Sequence, residues 1–328
     1  MTIQVGYHAS HEQFPPSELL RLVQEAEQAG FTSALSSDHF HPWTTRQGES
    51  GFAWSWLGAA MQATKLSFGI VNAPGQRYHP AIIAQAAATL AEMFPDRLWV
   101  AQGSGQAVNE GITGTEWPDK AQRNARLLEC VQVMRRLWAG ETVTHRGLVT
   151  VEEATLYTRP ARPPKIIGAA ITPQTAEWVG SWADGLITTS RPPDELAEMV
   201  RAFRKGGGEG KPMYLKVQLS FAKDHDAAVA GAMDQWRANV FASSVLTDLR
   251  RPEQFDAIGE VVTPETVAKS VRISSDPAQH LAWLAEDVKL GFEGLYLHNV
   301  NTEQRGYISA FGKHVLPALV KMTPGRTA

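Results

Sequence analysis

Short runs of apolar and β-branched residues alternate along this chain with longer stretches in which apolar residues recur at helical spacing. The short runs predict eight strands: Ile3–His8, Thr32–Asp38, Leu66–Asn72, Leu98–Gly103, Lys165–Ala170, Asp184–Ser190, Tyr214–Phe221 and Gly294–Val300. The longer stretches predict helices at Ser17–Gly30, Pro80–Met93, Asp119–Trp138, Pro173–Trp182, Pro193–Lys205, Pro277–Leu290 and Thr302–Leu316. Ser17 is the expected cap of the first helix and Gly30 its stop. Proline opens several of the others, where a missing N–H costs nothing.

Alternating strands and helices imply parallel strands joined by right-handed crossovers. Eight such units predict a (β/α)8 TIM barrel with insertions. The count alone leaves an open doubly wound sheet as the alternative. Two stretches interrupt the alternation. Glu141–Tyr157 reads as a hairpin turning near His145–Gly147. Asn239–Ser275 is a longer insertion with helical fragments, of the kind that shapes a pocket. No repeat or linker divides the chain, so residues 1–328 read as one domain.

Composition narrows the function. The 328 residues are 43% hydrophobic and 20% charged, ordinary for a globular protein. A net charge of −3 argues against nucleic acid or an anionic membrane as general partners. The single cysteine, Cys130, excludes an intrachain disulfide and fits a cytoplasmic protein. The N-terminus has no signal-peptide pattern, and no run of 18 apolar residues spans a membrane.

In a barrel the chemistry gathers where strands end at their C-termini. That rule selects Ser37–Trp43, Asn72–Pro80, Gly103–Glu110, Ala169–Thr172, Thr188–Arg191 and His298–Asn299. His39 and His41 have the His-x-His spacing of barrel metallohydrolases. The ends of strands five and six carry no partner histidine, so no metal is expected. Gly103-Ser-Gly105 has two of the three glycines of a dinucleotide fingerprint; it reads either as a tight turn or as a place where a flat ring approaches the backbone. Gly206–Lys211 lacks the residues of a phosphate loop and reads as a helix stop and flexible turn. Asp38 and His39, with Trp43 beside them and Ser104, Gln106 and Asn109 across the rim, make an apolar wall with a few converging polar groups, which is how a flat cofactor is held. Glu110 reads either as an acid or as a residue that caps or pairs.

At these residues the chain resembles the luciferase-like flavin- and deazaflavin-dependent oxidoreductases over nearly its whole length. Within them it resembles the branch of deazaflavin-dependent glucose-6-phosphate dehydrogenases. The blocks that carry this are Gly6-Tyr-His-Ala-Ser10, Ser37-Asp-His-Phe-His-Pro-Trp43, Arg77–Gln85, Gly103–Glu110 and Ser275-Asp-Pro277. The resemblance implies a TIM barrel, usually dimeric, with the redox ring at the C-terminal rim. It implies His39 as the active-site histidine and Trp43 as a substrate wall. It implies Asp38, Ser104, Gly105 and Asn109 as cofactor contacts, with Ala169, Ala170, Thr189 and Ser190 near the ribityl-phosphate arm. Val71 and Asn72 fall at a strand-three bulge that often carries a non-proline cis peptide.

Departures matter as much. The family's Gly-Thr-Gly-Glu is Gly-Ser-Gly-Gln here, so Gln106 replaces a proton-transferring glutamate; an amide hydrogen-bonds but relays no proton. The phosphate-gripping cations fall on Pro192, Ala257 and Ser270, with Arg191 beside the first. That argues against glucose-6-phosphate as substrate. The resemblance is best to a subgroup that uses ordinary flavin. FMN is therefore the expected cofactor, with coenzyme F420 as the alternative. The expected activity is transfer of hydride or electrons between a small organic substrate and a flavin, with a monooxygenase and a flavin-reductase partner as further options. The alternatives are an F420-dependent dehydrogenase of an alcohol or sugar-like substrate, and a flavin-binding protein without turnover.

Overall fold

The strand-forming runs pair side by side into a closed cylinder. The computed structural model describes residues 3–325. In chain order the strands are β1 (Gln4–Ala9), β2 (Ser33–Ser37), β3 (Ser67–Asn72), β4 (Leu98–Gln102), β5 (Val143–Arg146), β6 (Thr150–Ala154), β7 (Lys165–Ala169), β8 (Gly185–Thr189), β9 (Met213–Ser220), β10 (Arg272–Ile273) and β11 (Gly294–Asn299). β1, β2, β3, β4, β7, β8, β9 and β11 are parallel neighbours, and the pairings β8–β9 and β11–β1 close the circle. These are the eight expected strands, each matched within one residue at both ends. β5 and β6 form the expected hairpin, antiparallel and outside the barrel. The 239–275 insertion holds the helices Ser243–Leu246, Pro252–Gly259 and Pro264–Ala268, and ends in β10, which adds to β9.

Alternation along each strand separates two cores. Val5, Ala34, Phe68, Val100, Ile166, Leu186, Leu215 and Leu295 face out and pack on the helices. Leu35, Trp99, Ala101, Ile167, Ile187, Tyr214 and Tyr296 form a second buried cluster inside the cylinder. Trp99 stacks on Tyr214 with centroids 4.8 Å apart, and Tyr296 meets both edge-on. Two glycines make the room. A Cβ on Gly69 would lie 2.1 Å from the Trp99 ring, and one on Gly6 2.2 Å from the Tyr296 ring. The lower half of the barrel is therefore plugged by rings. Two residues further along the same strands, towards their C-terminal ends, the plug gives way to polar side chains: His8 after Gly6, Lys216 after Tyr214 and His298 after Tyr296.

The helices differ from expectation in particular places. Two were not expected, Ala53–Ala63 and His225–Trp236. The first is apolar on almost every side and the second is rich in alanine, so neither shows a contrast between faces. The cap of Pro16–Ala29 is Pro15, which places Ser17 inside the helix; Gly30 does end it, left-handed at φ 103°. The Gly206 region is a packing contact rather than a flexible turn. A Cβ on Gly206 would lie 1.8 Å from the Glu177 carbonyl oxygen, so two helices touch backbone to backbone there. No cis peptide bond occurs among the described residues, at Val71–Asn72 or elsewhere. No helix among them is long and apolar enough to cross a membrane.

Candidate active site

Three loops build the rim around His39. The first follows β1 and carries Ser10, His11, Glu12 and Gln13, all buried. The second follows β2 and carries Asp38, His39 and Trp43. The third follows β4 and runs from Gly103 to Glu110.

His39 Nδ1 lies 3.5 Å from Glu12 Oε1, with the two side chains 11% and 3% exposed. Nδ1 is buried and makes no hydrogen bond, so Glu12 acts on the ring through its charge, and the Nε2 edge is the one left for a ligand. Burial lowers the affinity of His39 for a proton, and the Glu12 carboxylate only partly opposes this. The imidazole is therefore neutral at pH 7. Burial disfavours the Glu12 carboxylate too, but the charge of Lys216 and its own backbone N–H help to hold it below the ordinary glutamate range. Ser10 Oγ donates to Glu12 Oε2 at 3.0 Å. A neutral base oriented by a buried carboxylate is an arrangement that accepts a proton from a hydroxyl.

The Trp43 ring lies 4.8 Å from the His39 ring and packs on Phe255, 5.4 Å away, from the 239–275 insertion. The long insertion thus closes one wall, as expected of it. Behind His39, Arg77 joins two carboxylates. Its Nη2 is 3.6 Å from Asp38 Oδ2 and its Nε is 3.6 Å from Glu110 Oε1, while its backbone N–H donates to Glu110 Oε2 at 2.9 Å. Tyr78 donates its hydroxyl to Asp38 Oδ1 at 3.1 Å. Glu110 therefore pairs, one of the two roles considered for it. Burial raises the pKa of both carboxyls against the pull of Arg77.

Asn109 spends its side-chain oxygen on the protein: it accepts the backbone N–H of Phe40 at 2.9 Å and of His41 at 3.3 Å. His41 Nδ1 bonds the Val108 carbonyl oxygen at 2.7 Å, so His39 and His41 do not converge on a common point. The described residues hold no group of three or more His, Cys, Asp or Glu suited to a metal. Gly105 is left-handed at φ 84°, and a Cβ there would meet Glu110 at 2.9 Å. Ser104 Oγ accepts from Lys120 Nζ at 3.0 Å. Gln106 stands half-buried at the start of the Ala107–Glu110 turn, without capping it by its side chain.

On the opposite rim Ala169 lies against Gly103, where a Cβ would come within 3.7 Å of the Ala169 methyl. Ala170 N–H bonds the Ile187 carbonyl. Ser190 Oγ donates to Gln218 Oε1 at 2.8 Å, next to Thr189. Arg191 is drawn to the carbonyls of Ile171 and Thr189. Val71 is half-buried at the end of β3, and both polar atoms of the Asn72 side chain are buried without a partner. Residues 103–105 and 169–170 are glycine, serine and alanine, so little side-chain bulk stands at these strand ends. A cavity of about 880 Å³ lies between the loops after β4 and β7 and the 239–275 insertion, walled by Trp117, Asp119, Lys120, Arg123, Asp248 and Arg250.

The expected residues thus lie at or just beyond the C-terminal ends of barrel strands, with His39 and Trp43 in contact. Asp38, Ser104, Asn109 and Ser190 bond polar atoms of the protein itself. The set that pattern reading missed is Glu12, Arg77, His8 and Lys216. Glu12 and His8 were findable, because the loop after the first strand is also a C-terminal strand end. Lys216 was signalled by its place between Tyr214 and Gln218 on one face of β9.

Residues 1–294 match the luciferase-like monooxygenase family. The chain belongs to that family. The F420-dependent glucose-6-phosphate dehydrogenase of Intrasporangium calvum is 35% identical over 331 aligned positions, which cover 97% of this chain and 99% of that protein. An F420-dependent secondary alcohol dehydrogenase, solved with an F420–acetone adduct, superposes with a TM-score of 0.90 at 30% identity, over 97% of this chain and 99% of that one. A long-chain alkane monooxygenase shares the fold, with a TM-score of 0.73 at 14% identity over 100% and 93% of the two chains. This family member is an oxidoreductase of the flavin and deazaflavin kind.

Proposed function

We propose that the protein is a deazaflavin (F420)-dependent dehydrogenase that oxidises a small alcohol. The observation that carries this is the His39–Glu12 pair at the barrel mouth, a neutral imidazole backed by a buried carboxylate. Two of the proteins named above, the glucose-6-phosphate dehydrogenase and the secondary alcohol dehydrogenase, are F420-dependent and support the deazaflavin over FMN, the cofactor first expected. The residues present fit such a group. The ring plug supplies a flat apolar floor, Gly103, Gly105 and Ala169 carry little or no side chain at the strand ends above it, and the cavity beside Trp117 offers Lys120, Arg123 and Arg250, together with Asp119 and Asp248, to a polar arm.

The coenzyme, when bound, supplies a hydride acceptor that takes two electrons and does not pass them singly to oxygen. The protein does the rest. The Nε2 edge of His39 accepts the proton of the substrate hydroxyl while the carbon gives up its hydride. Glu12 stabilises the imidazolium that results. Trp43 and Phe255 exclude water from that side. The lost cations at Pro192, Ala257 and Ser270 favour an unphosphorylated substrate.

The test is spectroscopic first. Titrated with F420 and with FMN, the protein should bind F420, seen at about 420 nm, more tightly than FMN, seen at about 450 nm. With F420 bound, a secondary alcohol should bleach the deazaflavin band. Tighter FMN binding with oxygen uptake would replace this reading with that of a monooxygenase, the second option, which Gln106 favours because it removes an acid.

A further inference from the structure

Beneath the His39–Glu12 pair lies a group of nitrogen atoms that the protein does not satisfy. The His8 and His298 rings touch, with centroids 4.3 Å apart, and are 2% and 1% exposed. Gln13 Nε2 donates to the Val300 carbonyl at 2.8 Å and to Gln235 Oε1 at 3.0 Å, which makes Gln13 Oε1 an acceptor. His298 Nε2, 2.9 Å from that oxygen, therefore carries the hydrogen. Its Nδ1 is left as a buried acceptor without a partner, and both nitrogens of His8 are buried and unpartnered. Lys216 completes the group. Its Nζ lies 5.5 Å from the centre of the Trp236 ring, against which His298 also packs at 4.9 Å. Lys216 enters no ion pair among the described residues, and Glu12, its nearest countercharge, is already engaged by His39 and Ser10.

Buried polar groups are satisfied by something, and these sit two residues beyond Gly6, Tyr214 and Tyr296 along their strands, on the C-terminal side of the ring plug. The set mixes donors and acceptors. Lys216 only donates, His298 Nδ1 only accepts, and neutral His8 offers one of each. A carboxylate or phosphate, which only accepts, would face the His298 lone pair and the Glu12 charge. A hydroxyl group both donates and accepts and meets all three.

We propose that Lys216, His8 and His298 form a hydroxyl-binding subsite, which makes the substrate an uncharged polyhydroxy alcohol whose second hydroxyl sits here while the first meets His39. This deepens the alcohol-dehydrogenase reading and rests on it for the oxidised carbon. The subsite itself needs no turnover to be seen.

The experiment compares the wild-type protein with Lys216→Met and Lys216→Gln, each checked for folding by thermal denaturation. With F420, the ratio of kcat/KM for glycerol over 2-propanol should fall roughly tenfold or more in Lys216→Met and recover in part in Lys216→Gln, which keeps a donor. Without cofactor, D-glucose should quench the tryptophan fluorescence of the wild type saturably, and Lys216→Met should abolish this. An unchanged ratio with both rates lowered together overturns the subsite. So does a variant that loses lactate rather than glycerol, or loses the deazaflavin ring rather than glucose. If no alcohol is oxidised while the glucose quench still depends on Lys216, the subsite stands and the dehydrogenase reading falls. If neither glucose binding nor discrimination is found, the subsite falls. Should Lys216→Met not fold, Lys216→Gln with glycerol and glucose decides alone, by a smaller loss in the same direction or by none.

Discussion

The Asn109 side-chain oxygen accepts the backbone N–H of Phe40 at 2.9 Å, so the loop after β4 holds the loop that carries His39. The same oxygen takes the His41 N–H, and two donors therefore hang on one amide. Asn109→Leu keeps the volume and removes both acceptors. Each half-buried N–H left unpaired costs about 1–3 kcal/mol. The expected result is a melting temperature several degrees lower and a kcat/KM reduced by about tenfold or more, because the imidazole is no longer held in place. Differential scanning calorimetry and steady-state rates check the two effects. A variant that melts lower but keeps its kcat/KM would show that the bond serves stability alone.

Glu12 sets the charge that His39 can carry. Glu12→Gln removes a carboxylate that raises the proton affinity of His39, so burial then acts with less opposition. The acid limb of the rate profile should move to lower pH, and the plateau should fall by about 10²–10⁴. Rates measured across pH 4–9 (approximate span, chosen about the ordinary histidine value) separate the shift from the fall. A lower plateau with an unmoved limb would mean that Glu12 orients substrate rather than His39.

Five buried histidines make stability depend on pH. Burial lowers the pKa of His8, His11, His39, His280 and His298 below the ordinary value of 6.5, to about 4 for His11 and His280. A base with a depressed folded pKa binds its proton more readily when unfolded. Its contribution is full above the unfolded pKa and is lost as pH falls below it. Stability should therefore drop from pH 6.5 downwards, by at most about 1.4 kcal/mol per pH unit for each histidine. The Glu12 carboxylate, also depressed, adds a loss in the same direction once pH falls below its ordinary value of 4.5. Urea unfolding at pH 7 and pH 5.5 measures the slope, and His8→Phe should flatten it. A slope that His8→Phe leaves unchanged would mean His8 is already protonated in the fold.

The ring plug predicts a stability defect of its own. A Cβ on Gly69 would lie 2.1 Å from Cζ2 of Trp99, and the cylinder leaves that ring little space to move. Gly69→Ala should cost about 1–3 kcal/mol. Adding Trp99→Leu should recover part of the loss, since the smaller side chain admits the methyl. Melting curves of the two singles and the double test the coupling; additive losses would mean that the methyl is accommodated elsewhere.

The barrel was legible because most strands are short runs rich in apolar and β-branched residues bounded by turn residues, the pattern of strands buried on both faces, with Ser33–Ser37 the most polar of them. The helices Ala53–Ala63 and His225–Trp236 were not, because a helix buried on most sides loses the periodicity that marks it. His39 and Trp43 were legible from their place at a strand end. Their partners were harder. Glu12 sits 27 residues before His39 and meets it only because β1 and β2 are neighbours in the sheet. Asn109 illustrates the opposite case: its place on the rim was right, while the hydrogen bonds it makes depend on how two loops pack.

Gln106 is the departure that bears most on the chemistry. It stands half-buried on the β4 loop, two residues after Ser104, whose hydroxyl accepts from Lys120. An amide there fixes geometry but transfers no proton, so any proton exchanged on that side must come from solvent. Gln106→Glu adds an acid at the same position and nearly the same volume. If a proton is exchanged there during turnover, the variant should gain a new ionisation in its pH–rate profile and a higher kcat with 2-propanol near neutral pH, by about tenfold or more. Lys120 nearby favours the charged form and should keep that ionisation on the acidic side of neutrality. A profile that superposes on the wild type would show that proton exchange at this edge is not limiting and that His39 and Glu12 carry the proton chemistry alone.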